Sequence, residues 1–422
     1  MKKVSLLGVG AVLAATAIAL SGCTGGAPAS NSGSNQITYL IGQPDTPAQL
    51  TALKADMKNF EKESGVTVKL NVLPSDTIRT VLQTQLRSGS GPDVFGYDTG
   101  AGFAGVLAKA GLLYDLTAEY SKKNYAIYDF AKKAVTFDNK ITGIPDQIEE
   151  VGLYYNKDMF AKQGLSAPTS LPDLEASLAK LKASGVIPMA AAEKEGYEAG
   201  WYLSMALASR AGADTVKGLI AGTGDWSSQD VVDAIDSWKQ LNEKGYLPPS
   251  VTSIASQNGD ALFLSGKAAM YPSGTWLVQT IDSTAKFNAG FIPFPGPDDK
   301  GISTTGLGGG IFMSANSKNP KAALKLMDYL ASPEHGKYEI SQGLIPTFPV
   351  STDGIKVSPL FQQVLTDTAA YAKGTGQVGQ NIDVAETDVF NKAMWDGFQA
   401  VFNGTMTPTQ MAKSLQKAST TK

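Results

Sequence analysis

The chain has 422 residues, which is longer than a single hydrophobic core usually supports, so its length predicts two lobes. Hydrophobic residues make up 43% and charged residues 18%, as in ordinary globular proteins, and the net charge of -3 excludes a broad basic surface for nucleic acid. His335 is the only histidine, which argues against most histidine-based zinc sites and Ser-His-Asp triads. We therefore expect neither a metal nor a cofactor.

The first 22 residues have the layout of a secretory signal peptide, with two lysines, an uncharged apolar run and then small residues. The residues Leu20-Ser21-Gly22-Cys23 resemble the lipobox of bacterial lipoproteins, and Cys23 is the only cysteine. In that class the cysteine is lipidated and becomes the acylated amino terminus. The resemblance implies lipidation of Cys23 and anchoring at the extracytoplasmic face of the bacterial cell membrane. A transmembrane anchor and a buried structural cysteine are the alternatives.

Residues 23–35 are predicted to form a flexible linker. After the cysteine this segment contains only Thr, Gly, Ala, Pro, Ser and Asn, so it carries no charge and little apolar surface to bury. Beyond residue 20 no uncharged apolar run is long enough to cross a bilayer. The sequence therefore predicts a folded body that is held off the membrane by a tether.

The folded body begins with alternating strand and helix patterns. β-branched and aromatic residues predict a strand at 37–41, alternation predicts another at 66–72, and a short apolar run predicts a third at 93–96. Helical spacing of apolar residues fills the two intervals, with Asp45 or Thr46 as the cap of the first helix. This order predicts a parallel sheet with right-handed crossovers. Since ligands bind beyond the carboxyl ends of such strands, the loops at residues 43–45 and 97–99 should lie close together.

Six short segments match one known family in their order along the chain. They are Gly91-Pro92-Asp93-Val94-Phe95, Ala110-Gly111-Leu112-Leu113-Tyr114-Asp115-Leu116, Leu153-Tyr154-Tyr155-Asn156-Lys157-Asp158-Met159-Phe160, Ala261-Leu262-Phe263-Leu264-Ser265-Gly266-Lys267-Ala268-Ala269-Met270, Ser273-Gly274-Thr275-Trp276 and Asn319-Pro320-Lys321-Ala322-Ala323-Leu324. In these segments the chain resembles the carbohydrate-type solute-binding proteins of ATP-binding-cassette importers, the family of the maltose-binding protein. The resemblance extends over the whole chain after the linker.

The resemblance implies an α/β fold of the periplasmic-binding-protein type, class II, in which a hinge joins two lobes around a ligand cleft. It predicts an N-terminal lobe of residues 36–147 with 292–331 and a C-terminal lobe of residues 148–291 with 332–422. The second lobe should contain helices at 172–184, 199–210 and 228–244, and later helices should follow at 320–330 and 383–402. The Gly run at 308–310 precedes a strand and lacks a following helix and lysine, so it is no phosphate loop.

A sugar site needs flat aromatic faces, because sugar rings present patches of C–H groups. By the resemblance, Trp276 stacks under a sugar ring at a strand-to-helix turn that Gly274 helps to hold. The resemblance also implies a sugar-facing aromatic at Tyr197 or Trp201, and Trp226 is a further candidate because it stands beside turn residues. Packing in the core, or an anchor in a surface loop for Trp226, is the alternative for each of them.

A sugar site also needs fixed hydrogen-bond partners, and charged acceptors bind hydroxyls most strongly. The resemblance implies Glu150 at the first crossing and Asp98 after the third strand, and Gln43, Asp45 and Tyr97 come from the two predicted loops. A helix cap or a solvent-facing charge is the alternative for the two acidic residues. Family members often carry a tryptophan and a basic residue around 97–99, which this chain lacks, so maltose itself is not the expected ligand.

The sequence therefore predicts a receptor and no enzyme. We expect a monomer that binds a carbohydrate, an oligosaccharide in particular, and passes it to importer permease subunits, with no nucleic-acid partner. A secreted glycoside hydrolase, which needs two carboxyls in different ionisation states, stays open. So does a receptor for a polyamine or a peptide. The adjacent Tyr154 and Tyr155 also suggest an iron site, although alternation along a strand would separate their side chains.

Overall fold

A computed structural model describes residues 35–44, 46–372 and 379–421, apart from the side chains of residues 76 and 369–372. From Asn35 onward the chain forms one compact unit. The predicted signal peptide, Cys23, the linker up to residue 34 and Asp45 lie outside the described residues. Within the described part, no helix combines the length and the hydropathy that a membrane span requires.

The strands, numbered in chain order, form two large sheets, here called the first and the second sheet, and one small hairpin. They are β1 (Gln36–Gly42), β2 (Thr67–Leu73), β3 (Val94–Asp98), β4 (Thr136–Phe137), β5 (Lys140–Ile141), β6 (Gly143–Pro145), β7 (Gln147–Asn156), β8 (Ile187–Met189), β9 (Ala268–Gly274), β10 (Ala289–Ile292), β11 (Thr304–Gly306), β12 (Gly309–Met313), β13 (Ile345–Pro346) and β14 (Gly379–Gln380).

The helices cover the two larger sheets. They are α1 (Pro47–Ser64), α2 (Ser75–Arg87), α3 (Ala104–Lys109), α4 (Thr117–Lys123), α5 (Asp129–Ala134), α6 (Lys157–Lys162), α7 (Leu171–Ala183), α8 (Glu198–Ala211), α9 (Ala213–Ile220), α10 (Gln229–Glu243), α11 (Ser256–Leu264), α12 (Val278–Thr284), α13 (Pro320–Leu330), α14 (Pro333–Ser341), α15 (Pro359–Ala372), α16 (Ile382–Ala385), α17 (Asp388–Phe402) and α18 (Pro408–Ser419).

The first sheet has the strand order β2-β1-β3-β12-β6. β1 pairs in parallel with β2 and β3, and β12 runs antiparallel to β3 and β6. The predicted parallel strand–helix–strand pattern at the start of the body is thus confirmed. α1 begins where predicted, because the Thr46 side chain accepts from the Gln49 amide in a capping box, and Gly65 ends it at φ 67°.

The second sheet is organised around the long strand β7. Its main order is β14-β11-β7-β9-β8, and β10 and β13 also pair with β7. β7 therefore contacts segments that are far apart in the chain, among them Ala289–Ile292 and Ile345–Pro346. Buried residues of α7, α8, α10, α17 and α18 form one core on this sheet. The predicted helices at 172–184, 199–210 and 228–244 correspond to α7, α8 and α10.

The two strands of the segment 292–331 lie in different sheets. β11 pairs with β7 in the second sheet, whereas β12 pairs with β3 in the first. The chain therefore changes sheets between Gly306 and Gly309, later than the predicted crossing near residue 292. α14 also contacts α1 through His335 and Asp56, although residues 332–422 were assigned to the C-terminal lobe. The lobe boundaries remain a prediction.

One predicted helix is wrong in its extent. The pattern at 383–402 predicted a single helix, but the structure contains α16 and α17 there. The break comes at Glu386 and Thr387, where Thr387 has extended backbone angles and its hydroxyl accepts from the Phe390 amide. An N-cap in the middle of an apolar helical pattern starts a new helix, because the cap residue itself cannot be helical.

Candidate functional site

Two connected chambers lie where the carboxyl ends of the first sheet meet residues of the second sheet. The larger chamber has a volume of about 820 Å³, and its walls include Arg79, Asp98, Glu149, Tyr197, Trp201 and Asp383. The smaller chamber has a volume of about 420 Å³, and its walls include Tyr39, Tyr97, Asp146, Tyr338 and Glu339. Both chambers are bordered by Gln43, Asp98 and Trp276. The loops at Gln43 and Asp98 therefore lie close together, as predicted.

Three aromatic side chains form one wall of the larger chamber. The ring centroids of Trp201 and Trp276 are 5.0 Å apart with an interplanar angle of 51°, and those of Tyr197 and Trp201 are 5.7 Å apart. Tyr197 and Trp201 are four residues apart at the start of α8, so they lie on one face. Each of the three is partly exposed. The wall can therefore present flat apolar surface to a ligand.

Gly274 makes room for Trp276 and does not border either chamber. A Cβ atom at this position would lie 1.9 Å from the Cζ3 atom of the Trp276 ring. The hydroxyl of Tyr154 donates to the carbonyl of Gly274 at 2.8 Å, which fixes the end of β9. Gly274 was predicted as a ligand contact, but its place in the structure is that of a spacer beneath the indole.

Asp98 is held by an arginine that the sequence had not suggested. The Asp98 carboxylate accepts from Arg79 Nε at 2.7 Å and from Arg79 Nη2 at 2.9 Å. The guanidinium carbon also lies 5.5 Å from the ring centroid of Phe103 and 5.7 Å from that of Tyr197. A bidentate ion pair is rigid, so Asp98 is presented to the chambers in a fixed orientation. Arg79 supplies a basic group that the segment 97–99 lacks.

Tyr97 borders the smaller chamber beside Asp98. Its ring meets that of Phe103 edge to face, with centroids 6.4 Å apart. Burial, and then the charge of Asp98, raise the pKa of Tyr97 to about 12. At neutral pH Tyr97 therefore offers a protonated hydroxyl, which can both donate to and accept from a ligand.

Glu149, and not Glu150, is the carboxyl of β7 that borders the larger chamber. Glu150 is 1% exposed and borders neither chamber, which corrects the prediction for this residue. Successive side chains of a strand point to opposite faces, so a shift by one residue reverses the direction. Glu149 accepts from the Gly308 amide at 3.0 Å and from Gln147 Nε2 at 3.2 Å.

The pKa of Glu149 is raised to about 8. Burial is the main cause, and the nearby carboxyl of Asp146 adds to it, whereas the hydrogen bond from the Gly308 amide acts in the opposite direction. Asp98 and Asp383 contribute smaller effects that also raise this pKa. Several carboxyls therefore share one region of low polarity in the chambers.

Trp226 lies in the core and away from both chambers. It is 1% exposed, and its ring centroid is 4.6 Å from that of Phe390 on α17. Its backbone amide donates to Gln416 Oε1 of α18 at 2.7 Å. The prediction of Trp226 as a ligand contact is therefore corrected: the residue ties the loop before α10 to the last two helices.

Two further residues of the larger chamber come from the region after residue 380. Asp383 on α16 has a raised pKa of about 7, mainly because it is buried and secondarily because Asp98 is near. Trp395 on α17 also borders this chamber. Asp383 packs closely on α8, since a Cβ atom at Gly200 would lie 2.7 Å from its own Cβ. Neither residue was predicted as part of the site; Asp383 appeared only as the first residue of the helix predicted at 383–402.

The adjacent tyrosines of β7 have separate surroundings. Tyr154 is fully buried, and its hydroxyl is bonded to Gly274, whereas the ring of Tyr155 packs edge to face on Phe160 at 5.1 Å. Among the residues that the structure describes, no three His, Cys, Asp or Glu side chains are grouped so that they could hold a metal ion.

Comparisons with known proteins agree with this architecture. The multiple sugar-binding protein of Streptococcus mutans serotype c is 29% identical over 95% of this chain and 97% of its own length. The maltodextrin-binding protein MdxE of Bacillus subtilis is 29% identical over 76% of both chains. A solved chitin oligosaccharide binding protein superposes with a TM-score of 0.79 at 24% identity, covering 91% of this chain and 98% of its own.

A solved structure of RafE in complex with raffinose superposes with a TM-score of 0.69 at 21% identity, covering 90% of this chain and 98% of its own. At these identities the solved structures show the fold, which is the predicted α/β fold of two lobes. Residues 55–364 match the family described as bacterial extracellular solute-binding protein, which is well over half of the chain. The chain is thus a member of the bacterial extracellular solute-binding proteins.

Proposed function

We propose that the protein is the lipid-anchored receptor of an ATP-binding-cassette importer, which binds an oligosaccharide between its lobes and delivers it to the permease unchanged. Relatives along nearly the whole chain are named for binding sugars, and one relative is named a maltooligosaccharide ABC transporter solute-binding lipoprotein. In this proposal the protein is a monomer and no enzyme, and acylated Cys23 holds it at the extracytoplasmic face of the membrane.

The observation that carries the proposal is the pairing of an aromatic wall with fixed polar groups in one cleft. Tyr197, Trp201 and Trp276 supply flat apolar surface, and Asp98 and Glu149 supply oriented carboxyl groups. Sugar rings present both C–H faces and hydroxyl groups. A sugar can therefore pack against the aromatic wall and form hydrogen bonds to the polar groups at the same time. The larger chamber, at about 820 Å³, is within the range of sites for small molecules and has room for more than one ring.

Delivery of the sugar to the permease requires that the sugar binds the closed arrangement of the lobes more tightly than the open one. The residues that border the larger chamber come from α2 and β3 on one side and from α8, α16 and α17 on the other. A ligand that contacts both sides favours the closed arrangement, because only that arrangement offers it all of the contacts. The permease would then recognise the closed, loaded form.

The test is calorimetric titration of the purified full chain with maltotriose, raffinose, xylotriose and chitotriose. We expect at least one of them to bind. Replacing Trp276 by alanine should weaken that binding by at least about tenfold, because a large aromatic contact is lost, and Trp276→Phe should restore part of it. Thermal unfolding of both variants without ligand shows whether the fold is intact.

The outcome also decides between a receptor and a hydrolase. Chromatography of each sugar after long incubation should show it intact, and cleavage products would exclude the proposed role. If none of the four sugars bound while a polyamine or a peptide did, the receptor would be one for a different solute. An unchanged affinity in the folded Trp276→Ala variant would remove the aromatic wall from the binding site.

A further inference from the structure

Carboxyl groups greatly outnumber cationic groups around the two chambers. Among the described residues, six acidic side chains border them, and the basic ones are a single arginine and a single histidine, without any lysine. The six acidic residues are Asp98, Asp146, Glu149, Asp260, Glu339 and Asp383. The net charge of the whole chain is only -3, so the acidic excess is a property of the cleft.

Both basic residues already contact carboxyl groups. Arg79 forms the two hydrogen bonds to Asp98 that are described above. His335 Nδ1 lies 2.9 Å from Oδ2 of Asp56, which is itself 4% exposed and stands behind the wall of the smaller chamber. Arg79 and His335 lower the pKa values of Asp383 and Asp146, respectively, but burial outweighs both effects, so both pKa values stay raised.

Two of the carboxyls have an oxygen without a hydrogen-bond partner. These atoms are Oε2 of Glu339, whose side chain is 3% exposed at the wall of the smaller chamber, and Oδ1 of Asp383 at the larger one. A buried acceptor without a donor is unfavourable, and a donor group of a ligand would remove that cost. Because Trp276 borders both chambers, a ligand lying on its ring can extend toward both carboxyls.

The acidic groups also raise the pKa values of one another. Burial and neighbouring carboxyls raise the pKa of Glu149 to about 8, and they raise that of Glu339 well above its usual value. Without a ligand Glu149 is therefore largely protonated at neutral pH. A cation would stabilise its ionised form, whereas an anion would disfavour that form further. An ammonium group is in addition a donor of three hydrogen bonds.

We infer that the cleft selects its oligosaccharide by charge: it favours sugars that carry a protonated amino group over neutral sugars, and it rejects sugars that carry carboxylates. This inference rests on the proposed function and adds the class of substrate to it. The amino group would be placed by Glu149 and Asp383 in the larger chamber.

The experiment compares charge variants of one sugar. The probes are the tightest-binding neutral trisaccharide of the panel, its 6-amino-6-deoxy derivative, its 6-carboxylate derivative and the β-1,4-linked glucosamine trimer, each titrated calorimetrically into the full chain. We expect the amino derivative to bind at least about tenfold more tightly than the carboxylate derivative, with the neutral sugar between them.

Charge-removing variants separate electrostatics from shape. In Glu149→Gln and Asp383→Asn the ratio of the two affinities should shrink, because each variant removes one carboxyl and keeps a side chain of similar size. Asp353→Asn, which removes an exposed carboxyl of a loop away from the chambers, should leave the ratio unchanged. Two independent variants are used so that the loss of fold in one of them does not end the test.

The outcomes are distinct. If the neutral sugar, its amino derivative and its carboxylate derivative bound with equal affinities, or the carboxylate derivative bound best, the inference would be overturned while the proposed function stood. An affinity ratio that stayed the same in both folded variants would also overturn it. If neither the four sugars of the panel nor the glucosamine trimer bound, the proposed function would fall and the inference with it. Binding of the glucosamine trimer alone would support the inference.

Discussion

At the scale of single residues, Glu193 and Glu198 form a buried acidic pair, and among the described residues no nearby positive charge lowers the pKa of either carboxyl. Both are at most 1% exposed, and neither side-chain oxygen of Glu193 has a hydrogen-bond partner. Burial raises the pKa of Glu198 to about 8, and burial together with Glu198 raises that of Glu193 well above its usual value. At neutral pH Glu198 therefore remains largely protonated in the folded chain.

This pair predicts how stability depends on pH. The pKa of Glu198 is higher in the folded chain than the unfolded value of 4.5. As the pH rises, the unfolded chain therefore loses this proton before the folded chain does. Stability is therefore fully present below pH 4.5 and falls as the pH rises toward 8. Glu198→Gln cannot ionise, so we expect it to be more stable than the parent by about 2 kcal/mol at pH 8 and equal to it near pH 4.5.

Urea unfolding at the two pH values measures this difference. Glu63→Gln is the matched control, because Glu63 is exposed on α1 and its replacement should change neither value. If the difference between parent and Glu198→Gln were the same at both pH values, the carboxyl of Glu198 would not be protonated in the folded chain.

Single residues also mark where sequence-based prediction stopped. Trp201, Trp276, Tyr97 and Asp98, which were predicted to contact a ligand, all border the chambers. The predicted ligand contact at Glu150 was wrong by one position in a strand. Glu150 lies on the same side of the strand as buried Ile148, so the alternation of side chains could have indicated Glu149 instead. Arg79 could not be found, because its partner Asp98 lies nineteen residues further along the chain and only the fold brings them together.

At the scale of elements, the glycine-rich loop at residues 99–105 packs against the backbone at residues 384–388. A Cβ atom at Gly100 would lie 2.0 Å from the Val384 carbonyl oxygen, and one at Gly102 would lie 2.7 Å from the Asp388 nitrogen. The loop follows β3 of the first sheet, whereas α16 and α17 pack with α8 on the second. This backbone contact therefore joins the two sides of the cleft.

We expect Gly102→Ala to weaken oligosaccharide binding by about tenfold, because a methyl group there keeps the two sides apart and lowers the population of the closed form. The unfolding temperature without ligand should change little, since the contact joins two loops across the cleft and lies outside the hydrophobic cores. Calorimetric titration and thermal unfolding measure the two quantities.

Gly218→Ala is the control for this substitution. Gly218 also lacks a positive φ, and a Cβ atom there would meet its neighbour at an ordinary 3.4 Å, so the variant should bind as the parent does. Full affinity in Gly102→Ala would show that closure does not depend on this loop.

The elements themselves were largely predictable, because hydrophobic periodicity is local. The strands at the start of the body and the helices α7, α8 and α10 follow their patterns. The position of β11 in the second sheet was not predictable, since Thr304–Gly306 is short and its partners Val151 and Gly379 are remote in sequence. Short strands are defined by their neighbours, and a single sequence does not show those neighbours.

At the scale of the whole molecule, the predicted lipid anchor and the folded body should be separable. Each buried CH₂ group contributes about 0.8 kcal/mol to membrane attachment, so loss of the acyl chains should release the protein. We expect Cys23→Ala to abolish incorporation of labelled fatty acid and to leave sugar affinity unchanged. Because Cys23 is the only cysteine, the substitution disturbs no disulfide.

Expression in a bacterium, with fractionation of membranes and medium, tests this expectation. Ser21→Thr is a useful control, because it changes the same segment without removing the thiol. Fatty-acid labelling that persisted in Cys23→Ala would place the anchor elsewhere in the chain.

Three of the five tryptophans, Trp201, Trp276 and Trp395, border the larger chamber, while Trp226 and Trp238 are almost fully buried. The three tryptophans whose rings are partly exposed to solvent thus all border one cavity. Ultraviolet emission should shift to shorter wavelength when a solute displaces water from these rings, and the two buried indoles should contribute a constant background. The intrinsic tryptophan fluorescence of the protein should therefore report ligand binding without an attached dye.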